Sequence, residues 1–79
     1  MTNYVRCVRA NLAAEMGRRD LTQAEVAVRV GLAPDALSRR MTGEIEFRLG
    51  ELMRLADALE VPFSTVVEGL DKAELEVAR

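Results

Sequence analysis

The chain has 79 residues, a formal net charge of −2, one cysteine and no histidine. That length suits one small domain burying roughly 60–65 % of its unfolded surface, and Cys7 alone excludes disulfide frameworks and Cys/His zinc sites. With no histidine, no glycine-rich phosphate loop and no nucleophile spaced to a base, nothing points to an enzyme, a cofactor or a small-molecule substrate.

In chain order, Val5, Val8, Leu12 and Met16 recur at i, i+3, i+7 and i+11, which predicts an amphipathic first helix from about Asn3 to Gly17, capped by Thr2 or Asn3. Four arginines and no long apolar run in the first twenty residues predict neither a signal peptide nor a membrane span, hence a cytoplasmic protein. Residues 17–20 link to a second helix. There Thr22 and Glu25 form a capping-box pattern, Leu21 can staple on Val26, and Val26, Ala27 and Val30 share one face. Gly31 follows the last apolar residue, where only glycine takes a left-handed conformation cheaply. Pro34 suits the first position of a third helix, which turns Leu37 and Met41 inward, shows Asp35, Ser38, Arg39 and Thr42 outward, and stops at Gly43.

After a loop over 44–48, with Phe47 a candidate core plug, Leu49, Leu52, Leu55, Ala56 and Leu59 predict a fourth helix ending before Pro62. Phe63, Val66 and Val67 predict a short fifth helix ending near Gly69. The expected domain is therefore 1–69, with 70–79 as a tail. Leu70, Ala73 and Val77 on one stripe, and a Glu68–Lys72 pair, leave that tail open to a frayed helix, a dimerising element or disorder. Charge is uneven. Residues 1–43 hold seven arginines against four acids (+3), while 44–79 hold four bases against nine acids (−5), so the second and third helices should lie at a positive pole.

Two short helices hinged at a glycine form a helix-turn-helix, whose second helix can enter the major groove of DNA. The stretch L-T-Q-A-E-V-A-V-R-V-G-L-A-P-D-A-L-S-R-R-M-T-G resembles the helix-turn-helix of the Cro/CI-type phage repressor family, an XRE-like family. Its T/S-Q-x-E-x-A-x-x-x-G core is followed by an apolar-Ser pair. The likeness runs more loosely from about Asn3 to Gly69, since ELMRLADALEVPFSTVVEG is similar to the family's fourth and fifth helices. The resemblance implies an all-α, compact five-helix, lambda-repressor-like DNA-binding domain with its helix-turn-helix at helices 2 and 3. It further implies a sequence-specific regulator, Cro-like or of the immunity-repressor type, binding a pseudo-palindromic double-stranded DNA operator as a homodimer.

Position by position, the resemblance implies that Gln23 clamps a phosphate, that Pro34, Asp35, Ser38 and Arg39 face base edges, and that Thr42 contacts the backbone. Arg39 can donate two hydrogen bonds to guanine O6 and N7, or pair with Asp35 four residues away. Arg40 and Met41 stand where many relatives have an apolar residue and a glutamate, so the buried ion pair of that glutamate is expected to be absent. Arg40 is then expected to lay its stem on the core and aim its head at phosphate or Glu44, which makes it a further candidate contact. Pro34 removes a polar base contact, and Glu44 and Glu46 should weaken affinity. A second reading keeps the fold but makes it an antitoxin-like or antirepressor-binding module, with Phe63, Val66 and Leu70 as its working surface.

Overall fold

The apolar stripe of the first helix is where the core begins. The computed structural model describes residues 3–71, and α1 spans Asn3–Arg18, one residue beyond the expected end, with Val5, Val8, Leu12 and Met16 buried. Then follow α2 (Gln23–Arg29), α3 (Pro34–Thr42), α4 (Leu49–Ala58) and α5 (Phe63–Val66). The fold is all-helical, as expected. Among the described residues α2 packs on α3, α4 on α5, and α1 reaches both α3 and α5. One core joins them, from Val8, Leu12 and Met16 through Val26, Ala27, Leu37 and Met41 to Phe47, Leu52, Leu55, Leu59 and Val66. No described helix is long and apolar enough to cross a membrane.

Three of the helices end alike. In α1, Asp20 N–H donates to Gly17 C=O (3.2 Å) and Leu21 N–H to Met16 C=O (3.0 Å). In α2 the same pair runs from Gly31 to Val28 (3.2 Å) and Leu32 to Ala27 (2.9 Å), and in α4 from Glu60 to Asp57 and Val61 to Ala56 (both 3.0 Å). This is the Schellman arrangement, in which one residue turns left-handed and the next, apolar, folds back on the helix. Asp20, Gly31 and Glu60 carry the turn, with φ of 55°, 75° and 59°, and Leu21, Leu32 and Val61 pack against the core. Only Gly31 does so without strain; a non-glycine in this region costs roughly 1–2 kcal/mol.

The fifth element is held by α1. Asn11 Nδ2 donates to the carbonyls of Val66 (2.8 Å) and Glu68 (3.0 Å), and the Cys7 thiol donates to Glu68 C=O (3.0 Å). A four-residue helix cannot satisfy its own last carbonyls, so a side-chain amide on α1 does it.

Two expectations are corrected here. Leu49 is 65 % exposed rather than core. It sits at the edge of the stripe formed by Leu52, Leu55, Ala56 and Leu59, in the first turn of α4, where no other element covers it. Val66, assigned to an exposed working surface in the interaction-module reading, is wholly buried, leaving Phe63 exposed and Leu70 half-buried. Among the terminal features, Thr2, the side chain of Asn3, the Ala73–Val77 stripe and the Glu68–Lys72 pair lie outside the described residues.

Candidate nucleic-acid interface

The helix-turn-helix is set by local chemistry at its first end. Thr22 Oγ1 accepts from Glu25 N–H (3.1 Å), and Glu25 Oε1 accepts from Thr22 N–H (2.9 Å). The box is complete, and loss of a threonine cap typically costs about 1 kcal/mol. The Thr22 backbone N–H, then its hydroxyl contact, hold the Glu25 carboxyl below the usual glutamate range. Gln23 is thereby fixed as the first residue of α2, half-buried beside α3. Gly43, at φ 86°, ends α3.

On α3, Leu37 and Met41 face the core, while Pro34, Asp35, Arg39 and Thr42 are exposed and Ser38 is half-buried. The outward face is thus the expected one. Arg39 is flanked by carboxylates, with Nε 3.5 Å from Glu44 and Nη2 4.0 Å from Asp35. All three side chains are more than half exposed, so these pairs are weak and exchangeable. Thr42 Oγ1 donates to Arg39 C=O (3.0 Å). Its proton is therefore committed, and the hydroxyl must rotate before it can donate to a phosphate.

Arg40 is a correction. Its Nε donates to Glu51 Oε1 (2.8 Å) and its Nη1 to Ala36 C=O (2.8 Å), with 13 % of the Arg40 side chain and 5 % of the Glu51 side chain exposed. The head turns to α4 rather than to phosphate or Glu44. Glu51, in the first turn of α4, accepts with the same oxygen from Arg48 N–H (2.8 Å). An oxygen reaching back to cap its own helix is already desolvated and fixed, which makes it a ready acceptor for a neighbouring guanidinium. So the domain has a buried ion pair after all, between Arg40 and Glu51, with Met41 packed in the core beside it.

A second carboxylate is also sunk in the fold. Glu15 pairs with Arg19 (2.7 Å) and with Arg18, and Arg19 first, then Arg18, holds its carboxyl below the usual range. These contacts redraw the charge map. Arg40 is spent inside the molecule, Arg18 and Arg19 share the single charge of Glu15 with Arg18 still exposed, and Arg39 is shared between two acids. Glu15 and Asp35 already stand in the count for 1–43, so the expected positive pole is reduced only by Glu44 and Glu51, acids brought to it from the second half of the chain.

A shallow depression of about 290 Å³ lies along this face. Ala13, Met16 and Met41 line it together with Arg9, Gln23, Ser38 and Thr42. Sequence reasoning missed Arg9. Its signal was the i, i+4, i+7 spacing of Arg9, Ala13 and Met16, which puts the three on one side of α1, but nothing local says that α3 packs on that side. Among the described residues no three metal-ligating side chains cluster.

A family model described as a helix-turn-helix domain matches residues 9–73. The chain belongs to that family. No curated protein and no solved structure matches it. The matched region of this helix-turn-helix domain contains all six candidate positions on α3, together with Gln23 and Glu51. Membership points to a DNA-binding regulator, and in this helix-turn-helix the outward row of α3 is the surface such a role would use.

Proposed function

We propose that this domain is a sequence-specific transcriptional regulator, Cro-like or of the immunity-repressor type. In this reading it binds a pseudo-palindromic operator as a homodimer, places α3 of each copy in major grooves about 34 Å apart, and represses by occluding polymerase. The observation that carries the reading is the division of α3. Leu37, Arg40 and Met41 are committed to the protein, while Asp35, Ser38, Arg39 and Thr42 present a continuous exposed-to-half-exposed polar row. Pro34 adds an apolar contact suited to a thymine methyl, and Gln23 an amide for the flanking phosphate.

Arg39 reads guanine, released from its weak, exchangeable pairs with Glu44 and Asp35. Selection of bound sequences from a random duplex pool should enrich a guanine at a fixed place in each half-site. Arg39→Ala should relax that position and lose about 1–3 kcal/mol of discrimination, roughly 5- to 150-fold. A pool showing no enrichment overturns the function, and an unchanged preference in Arg39→Ala overturns the assignment of that residue.

Glu44 lies beside Arg39 on the edge that would face the backbone, so its charge opposes phosphate. Glu44→Gln should raise affinity for operator and unrelated duplex alike, by roughly 1.5- to 5-fold at low salt. Titration of labelled duplexes by fluorescence anisotropy measures both.

A further inference from the structure

Four arginines at the end of α1 and on α3 are already paired with carboxylates, while among the described residues Arg6 and Arg9 of α1 and Arg29 of α2 are not. Arg18 and Arg19 hold Glu15, Arg40 holds Glu51, and Arg39 lies between Asp35 and Glu44. Arg9 is exposed and has no ion pair among the described residues. Yet it lines the same depression as Gln23, Ser38 and Thr42. The walls between them are low, because Ala13 ends at Cβ and Met16 and Met41 are sunk into the core.

We propose that Arg9 of α1 is a DNA-backbone contact, its guanidinium taking a phosphate on the strand that Gln23 touches. This rests on the operator-binding reading above. The chemistry fits the rim. A phosphodiester only accepts hydrogen bonds, and the Arg9 guanidinium, the Gln23 amide and the Ser38 hydroxyl can all donate. Of the residues lining the depression, Arg9 is the one that carries a full positive charge to offer a polyanion. A third helix thereby joins the interface, and α1 fixes the docking angle of α3 from the side. Because a phosphate carries no base identity, Arg9 contributes affinity and register but no sequence preference.

Salt dependence separates this from a general charge effect. Duplex affinity should be measured from 50 to 200 mM salt for the unaltered chain, Arg9→Gln, Arg9→Lys and Arg54→Gln, the last removing an exposed arginine of α4 that is not on the depression. Arg9→Gln should reduce the slope of log affinity against log salt by about 0.9, so its deficit shrinks roughly 3.5-fold across that range. Its preferred sequence should not change, Arg9→Lys should keep the slope, and Arg54→Gln should behave as the unaltered chain. An unchanged slope in Arg9→Gln, or an equal change in Arg54→Gln, overturns the contact while leaving operator binding intact. Absence of any duplex binding by the unaltered chain overturns both.

Discussion

Glu51→Ala should lower the unfolding free energy by about 3 kcal/mol, the lower end for breaking a buried pair, because Arg40 keeps its bond to Ala36 C=O. A domain of this size rarely holds more than about 3–5 kcal/mol, so the variant should be largely unfolded in mild urea where the unaltered chain is folded, as read by far-UV circular dichroism. The loss has two parts: the Arg40 guanidinium is left buried without its carboxylate, and Arg48 N–H loses its acceptor. Glu51→Gln keeps an acceptor oxygen and should cost less. Removing both charges with Arg40→Leu and Glu51→Leu should recover much of the loss, since no uncompensated charge remains.

The same residue sets a pH dependence. The hydrogen bond from Arg40, then the N–H of Arg48, holds the Glu51 carboxyl below the usual range. The folded state therefore binds that proton less readily than the unfolded chain. Its stabilisation is complete above the unfolded glutamate pKa of about 4.3 and is lost as pH falls from there through the depressed value. Glu15 and Glu25 shift in the same direction, so all three contribute to acid unfolding with one sign. Urea midpoints between pH 3 and 6 should fall less steeply in Glu51→Gln than in the unaltered chain.

Val66→Asp should unfold the domain outright, with a loss above about 4 kcal/mol. Val66 is wholly inside, with α5 against α1 and α4. A carboxylate there must be buried unpaired, take up a proton, or drag α5 out of place and break the Asn11 bonds to the Val66 and Glu68 carbonyls. Loss of a partner in this variant would thus report unfolding rather than a contact. Phe63→Asp, at an exposed site on the same element, should keep native circular dichroism and a near-native thermal midpoint. The pair of variants separates a surface role of α5 from its structural one.

What was legible in the sequence was what depends on neighbours within one or two turns. The Thr22–Glu25 box, the stops at Gly31 and Gly43, the inward Leu37 and Met41, and the first-helix stripe all follow from local geometry, and all stand. What was not legible needed a partner from elsewhere in the chain. Arg40 meets Glu51 across eleven positions and Asn11 meets Val66 across fifty-five, distances at which periodicity carries no information. The turns at Asp20 and Glu60 were hidden because their left-handed residues are not glycine. For the interface, the face of α3 was readable from its own period, but Arg9 was not, because its role depends on which side of α1 receives α3.

The adjacent arginines 39 and 40 impose different histories on their positions. Residue 40 is tied to residue 51, so a change at either is tolerated only with an answering change at the other, and the two should drift together or not at all. Residues 35 and 39 answer to nothing in the core. Under the proposed function, descendants of this chain would therefore acquire new target sequences one substitution at a time, without first passing through an unstable intermediate.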